Sequence, residues 1–387
     1  MEDFMEEQRD GHSIMGYGQQ TRILPATRTL PCWTDVEIAW DQCGASLESG
    51  LKHIAEFQKA ISDGLDEMPE EVEDTLGSLA SVNMRLTEIG KMLDELVNHP
   101  SHDKVYWAEQ LPNNFRLALQ AAPLHIGPLM EQYLWHEKSS VILTSATLTT
   151  NNEFDYIRNR LNADEADELV LGSPFDFENS TLLYLVNDIP EPSEANAHQR
   201  EVESAIIRLA KATGGRMLVL FTSYAQLKRT SQAIGPAMED AGIKVYEQGE
   251  GASTNTLLEN FREADKAVLL GTRAFWEGVD IRGEALSVLV IVKLPFDVPS
   301  DPVIAARSET FEDPFNEYNL PEAILRFRQG FGRLIRTQSD RGVVVILDKR
   351  VLTKKYGRQF LDSLPVCTRR VASSLDLPAA TVKWLNI

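Results

Sequence analysis

RMLVLFTSYAQL, residues 216–227, is the stretch whose reading decides the fold. Met217–Phe221 is a continuous apolar run, as expected of a strand covered on both faces rather than one with a wet side. It hands the chain straight to Thr222, Ser223 and Tyr224, and a helical stretch comes next. The same texture recurs outward from it: FRLALQAA (115–122), VILTSATL (141–148), ELVLGSPF (168–175), LLYLV (182–186), AVLLGT (267–272), SVLVIVKLPF (287–296) and GVVVIL (342–347). Helical segments separate these runs, which makes the strands parallel. The expected class is therefore α/β, an open parallel sheet flanked by helices. In such sheets ligands sit beyond the carboxyl ends of strands, so the residues just after each run carry the information.

The rest of the composition sets bounds. The chain has 387 residues, 43% hydrophobic and 25% charged, in the ordinary globular range. No apolar run approaches the roughly 18–20 residues needed to span a bilayer, and the acidic start MEDFMEEQRD lacks the order of a signal peptide. Three cysteines (Cys32, Cys43, Cys367) form no CxxC and cannot supply a four-thiolate site. Reduced thiols and a cytoplasmic location are expected, with no iron–sulfur cluster encoded in this chain. Net charge is −20, yet residues 1–140 hold 24 acidic against 10 basic side chains while residues 321–387 hold 5 against 13. That total disfavours indiscriminate binding to phosphate; one basic groove remains compatible with it.

Residues 46–60 and about 70–98 read as helices. Val72, Leu76, Leu79, Val82, Leu86, Ile89, Leu93 and Leu96 recur at steps of three and four, and Asn98-His99-Pro100 stops the second helix. Joined through Gly64 and Pro69, the two make a hairpin whose apolar stripe packs helix on helix.

Four segments sit at strand ends. In VILTSATL, Thr144, Ser145 and Thr147 can bridge a nucleotide site to a polar network, or cap a helix. In the opening stretch, Thr222, Ser223 and Tyr224 lie where a helix start can bind phosphate, or be capped by its own serine. AVLLGTRAFWEGVDI (267–281) brings Gly271, Thr272 and Arg273, then Glu277, Gly278 and Asp280. Gly271 permits close backbone approach, Thr272 and Arg273 suit phosphate oxygens, and the acid pair suits a ribose or the metal side of a nucleotide. Phe275 and Trp276 can stack on a base or be buried. In AILRFRQGFGRLIRTQSDRG (323–342), Gln329, Arg333 and Arg336 fall on one face of a helix continued through the segment, with Arg326 a turn earlier. Gly330 and Gly332 cost about 1 kcal/mol each there, so they are expected to thin the helix for a close approach.

In this order and spacing, TSATL, LFTSY, GTRAFWEGVDI and QGFGRLIR resemble motifs III, IV, V and VI of superfamily 2 DNA helicases, the DinG/XPD group in particular. SPFDF (173–177) and KLPFDVPSDP (293–302) resemble connecting segments of DinG-like proteins, and the likeness runs over about 113–365. It implies a 5′→3′ helicase with two RecA-like lobes clamping ATP and Mg²⁺ and moving along single-stranded DNA, in repair or replication. On that pattern Arg333 and Arg336 match arginine-finger positions and Gln329 the motif VI glutamine. Glu277, Gly278 and Asp280 match motif V residues at the nucleotide. Thr222, Ser223, Tyr224, Thr272 and Arg273 match positions near the strand, and Thr144, Ser145 and Thr147 the link between ATP and DNA. The domains implied are an arch-like helical segment over 1–112, the last elements of lobe 1 over 113–180 and lobe 2 over 181–387.

The pattern is incomplete. No GxxxxGK[ST] loop exists, and Gly16-Tyr17-Gly18 has no lysine after it. Asp164-Glu165-Ala166-Asp167 spells a helicase signature but comes after TSATL instead of before it, beyond the helix-like FDYIRNRLNA, and reads as a solvated turn. The chain is expected to be the C-terminal part of a longer helicase, to need lobe 1 of its parent as a partner, and to hydrolyse nothing alone. The alternative is a non-catalytic, helicase-derived module that binds DNA or protein. A nuclease fused upstream is a third arrangement.

Overall fold

The computed structural model describes residues 4–5, 19–64, 69–110, 117–150, 153–249, 251–276 and 285–387. These divide into two compact units, one of residues 1–125 with 300–306 and one of 126–299 with 307–387.

The first unit holds the expected hairpin, with the opening helix longer than the periodicity suggested. Helix α1 (Pro31–Gly64) packs against α2 (Glu70–Val97), which stops at Asn98. Beside them β1 (Gln19–Arg22), β2 (Lys104–Gln110) and β3 (Leu117–Pro123) form an antiparallel sheet in the order β1-β2-β3. From Leu117 onward the run FRLALQAA thus pairs antiparallel with β2, a correction to the parallel reading. Its reach to β2 is only a short connection, and short connections favour antiparallel pairing. The expected boundary at 112 falls between these two paired strands. Phe4, Trp33, Val36, Leu96, Val97 and Tyr106 build this unit's core.

The second unit is the expected α/β sheet. Its elements begin with α3 (Asp155–Leu161) and β4 (Thr181–Val186), then α4 (Ala195–Thr213), β5 (Met217–Leu220) and α5 (Tyr224–Glu239). Next come β6 (Lys244–Glu247), α6 (Thr254–Glu263), β7 (Ala267–Gly271) and β8 (Val288–Ile291). Helix α7 (Leu320–Phe331), β9 (Gly342–Ile346), β10 (Thr368–Ala372) and α8 (Leu377–Leu385) complete it. Among the described residues the sheet has seven strands in the order β10-β4-β9-β8-β5-β7-β6, every pair parallel. Alternation inside each apolar run explains the double burial. Leu218, Leu220, Leu269, Leu289, Ile291, Val344 and Ile346 meet α6 and α7 on one face. Met217, Val219, Val268, Leu270, Val288, Val290, Val343 and Val345 meet α4, α5 and α8 on the other.

Two apolar runs read as strands are not strands here. Val141–Leu143 and Leu169–Leu171 pair with nothing regular, and Ile142 is 82%, Leu169 75% and Leu171 78% exposed. Composition gives a run its strand propensity, but only a neighbouring edge can satisfy its backbone donors and acceptors. The edges of the seven-stranded sheet, β10 and β6, pair with neither run. Asp164–Asp167 forms an exposed turn after α3, as its polar setting implied.

Candidate nucleotide and strand site

The carboxyl rim of the second unit collects the motif-bearing segments. At the end of β5, Ser223 is the N-cap of α5 and its Oγ accepts the Gln226 amide at 3.4 Å. Capping is therefore what this serine does in the structure. Tyr224 lies against Gly249: a Cβ built there would fall 2.0 Å from the phenol oxygen, and the +103° φ of Gly249 already favours glycine. Thr222 is half-buried beside them.

At the end of β7, Gly271 makes room for Phe275, whose ring would stand 2.4 Å from a Cβ. The close approach at this glycine is internal packing. Gln248 Oε1 accepts both the Thr272 amide and its hydroxyl, each at 2.8 Å, so this threonine is buried and engaged. Arg273 is exposed on the single turn Arg273–Trp276. Phe275 and Trp276 are both fully buried, which removes the base-stacking alternative for either. Glu277, Gly278 and Asp280 lie outside the described residues.

Trp276 is the hub that sequence reading missed. Its Nε1 donates to the Phe221 carbonyl at the end of β5, 3.1 Å away. Its carbonyl accepts Arg333 Nε at 3.0 Å. Its ring lies against Gly330 of α7, where a Cβ would come within 2.7 Å of Cε3 and Cζ3. Gly330 therefore thins the helix for an indole of the same chain, not for a ligand. One side chain thus ties three of the four motif segments together. A fully buried tryptophan after a strand-end turn was the available signal, since a buried indole N–H needs a partner.

Helix α7 also ends sooner than expected. It stops at Phe331, and Arg333 and Arg336 stand in the turn and irregular segment beyond it, not on one helical face with Gln329. Two glycines within three residues weaken the last turn enough to release the chain. Asp340 fixes the backbone past this turn, its carboxylate accepting the amides of Arg336 and Thr337, both at 2.8 Å.

The remaining arginines of α7 have structural partners. Arg326 is held by Asp297 through two bonds of 2.9 and 3.1 Å and donates to the Pro295 carbonyl. Arg328 grips TSATL and the residue after it, donating to the Thr149 carbonyl, to Thr149 Oγ1 at 3.1 Å and to the Ala146 carbonyl at 3.1 Å. Burial lowers its pKa from the ordinary arginine value. Gln329 Nε2 donates to Thr147 Oγ1 at 3.3 Å, while Ser145 Oγ accepts the Thr147 amide at 3.1 Å. Thr144 and Ser145 are exposed. Thr147 and Gln329 are thus brought together, and Arg328, unremarked in the sequence, is the stronger tie.

The fold and these rim segments are those of a RecA-like lobe of a superfamily 2 helicase. A family described as a helicase C-terminal domain matches residues 206–367. Over 277 residues the chain is 37% identical to the ATP-dependent DNA helicase YoaA of Escherichia coli, covering 70% of this chain and 42% of that protein. Over 350 residues it is 33% identical to the 3′-5′ exonuclease DinG of Bacillus subtilis, covering 86% and 37%. The structure of S. tokodaii Xpd4 aligns with a TM-score of 0.51 at 18% identity, over 79% of this chain and 60% of that one. The protein is a homologue of the DinG-like helicases and corresponds to their C-terminal portion, spanning less than half the length of these two curated relatives. No described helix is long and apolar enough to cross a membrane.

Proposed function

We propose that the chain is the C-terminal motor portion of an ATP-dependent DNA helicase, working with a lobe that carries the phosphate-binding loop it lacks. The observation that carries this reading is the Trp276 hub, which joins Arg333 to the segment ending β5 and to the one after β7. ATP with Mg²⁺ would supply a cleavable γ-phosphate. The residues present fit one wall of such a site, because the sequence offers arginines for developing charge but no GK[ST] loop to hold the triphosphate. Arg333 and Arg336 are the finger candidates, with Gln329, Glu277, Gly278 and Asp280 on the nucleotide side. Thr222, Ser223, Tyr224, Thr272 and Arg273 are the single-stranded DNA side. Thr144, Ser145 and Thr147 couple the two through Gln329 and Arg328.

Because Arg333 is bonded to the carbonyl of Trp276, a shift of the guanidinium pulls on the turn that presents Thr272 and Arg273. That is a route by which closure at one side moves the strand side. The exposed runs Val141–Leu143 and Leu169–Leu171 fit the edge of a second sheet belonging to the same parent protein, lobe 1 in this reading. Contacts with DNA would be mainly to sugar and phosphate, with little sequence preference. An iron–sulfur cluster, if the parent has one, would be held by cysteines outside this chain.

The isolated chain should show no hydrolysis above a no-protein control with saturating single-stranded DNA. The test starts from the DNA upstream of Met1, which should read in frame into GxGK[ST]. In that longer chain Arg336→Ala should lower hydrolysis by roughly 10³-fold or more while strand binding stays within about twofold. Equal loss of both would make Arg336 a strand contact. An upstream stop without a phosphate loop would favour the non-catalytic module.

A further inference from the structure

The rim holds a lysine that the motif pattern does not use. Counted from the last paired residue of each strand, Asp348, Lys293, Thr222 and Arg273 all lie two positions beyond, on the adjacent strands β9, β8, β5 and β7. The register continues past the strands, since the Leu347 amide donates to the Ile291 carbonyl at 2.9 Å and the Val292 amide to the Leu220 carbonyl at 3.1 Å. Lys293 thus sits between Asp348 and Thr222, in the row that ends at Arg273.

Asp348 does not neutralise it. Fully buried, that carboxylate accepts the Leu294 amide at 2.8 Å, the Arg350 amide at 3.0 Å and the Arg350 side chain, at 2.6 Å from Nη2. Its charge is committed to Arg350. The other carboxylates flanking this rim have their own cations: Asp297 holds Arg326, Glu247 holds Lys228 and Glu191 holds Lys354. His198, whose Nε2 lies 2.9 Å from the Leu347 carbonyl, is an imidazole and offers Lys293 no negative charge.

Lys293 and Arg273 are left with neither a hydrogen bond nor an ion pair among the described residues. Lys293 is half-buried, and burial, then Arg350, lowers its pKa against the opposing pull of Asp348. A partly desolvated ammonium without a counter-ion is an unfavourable arrangement that an anion relieves. The N-terminus of α5, a helix of sixteen residues starting at Tyr224, adds its positive end to the same rim.

We propose that Lys293 binds a phosphate of a single-stranded nucleic-acid backbone, extending the strand's path across the rim from Arg273 on β7, past Thr222 on β5, to β8. This rests on the strand-binding reading above and adds a residue and a direction to it. Strands stand about 4.8 Å apart, so the two cations are separated by about 10 Å at the backbone, with a hydroxyl between them.

The test is fluorescence anisotropy of a labelled oligo(dT) with the 387-residue chain and its Lys293→Gln, Lys293→Arg, Arg273→Ala and Thr222→Ala variants. Lys293→Gln should weaken binding and lower the salt slope by about 0.7, so that a fourfold rise in salt costs it about 2.6-fold less than wild type. Lys293→Arg should keep most of both. Unchanged affinity and slope in Lys293→Gln, with Arg273→Ala weakened, would overturn the role of Lys293 alone. No binding by wild type would overturn the strand-binding reading as well. Unchanged circular dichroism guards the result. If Lys293→Gln melts early, charge reversal by Lys293→Glu must weaken binding in the folded fraction or the proposal fails. A nucleotide phosphate is the other source of the same chemistry: loss of ATP binding in Lys293→Gln with oligo(dT) binding intact would assign the lysine there and refute the strand path.

Discussion

Gly330→Ala measures whether the glycine serves Trp276 or a ligand. Replacing glycine inside a helix normally stabilises by about 1 kcal/mol. Here the new methyl would stand 2.7 Å from Cε3 and Cζ3 of Trp276 and 3.4 Å from Leu220 Cδ1. The indole cannot yield cheaply, since it is fully buried and its N–H is bonded to the Phe221 carbonyl. Overpacking of this kind costs about 1–3 kcal/mol, so the net change should lie between neutral and a loss of about 2 kcal/mol. Gly332→Ala is the control. Its methyl would meet only the Arg328 carbonyl at 3.4 Å and the Gln329 carbonyl at 3.6 Å, at a φ of −66° that alanine accepts. Melts of the two variants should therefore differ by about 1–3 kcal/mol, or about 1–2 °C in Tm for each kcal/mol. A Gly330→Ala protein as stable as Gly332→Ala, or more so, would show that Trp276 does not fill the space and would reopen it for a ligand.

Other contacts can be tested in the same way. Arg328→Ala removes three bonds to Thr149 and Ala146, and amide exchange over 144–150 should rise by at least tenfold; Arg328→Lys should not restore protection, because one ammonium cannot span both residues. Asp348→Ala leaves Arg350 without its buried partner and should cost about 3 kcal/mol in a denaturant melt. Burial raises the Cys367 thiol above its ordinary pKa, with Arg369 opposing, while Cys43 is exposed. A thiol reagent at pH 8 should therefore modify Cys43 first and Cys367 only on unfolding. His198 has a folded pKa below its unfolded value of about 6.5, with Lys293, Arg350, Asp348 and the Leu347 carbonyl as its charged and polar neighbours. Its contribution to stability is full above that pH and is lost as pH falls below it, so His198→Gln should flatten the melt profile below pH 6.5.

The sheet was legible because its signal is local. Residues 181–186, 217–220, 267–271, 288–291 and 342–346 are apolar runs buried on both faces, and each stands where its composition said. Runs 141–143 and 169–171 have the same composition and failed, because pairing depends on an edge that composition does not encode. Helix α7 failed differently. Spacing placed Gln329, Arg333 and Arg336 on one face, but Gly330 and Gly332 act together near a terminus, and the helix ends between the glutamine and the arginines. The pairings made by Arg328, Gln248 and Trp276 were hidden for a third reason. Each acts through a contact distant in sequence, 179 residues in the case of Arg328 and Thr149, and no periodicity carries such a pairing.

These failures share a consequence for the site. Residue types that suit a phosphate also suit the fold, and the structure has used several for itself: Ser223 caps α5, Thr272 is held by Gln248, Arg326 by Asp297, and both motif V aromatics are core. A strand entering the rim must therefore either displace those contacts or use the groups they leave over. Displacing Thr272 from Gln248 exposes two bonds at once, and displacing Ser223 uncaps a helix at about 1 kcal/mol. Exposed Arg273, half-buried Thr222 and Lys293, unmatched among the described residues, require no such exchange. Binding that costs the protein nothing internally should dominate the affinity, so Thr272→Val should weaken oligo(dT) binding less than Arg273→Ala does. The reverse order would mean that the strand rebuilds the rim as it enters.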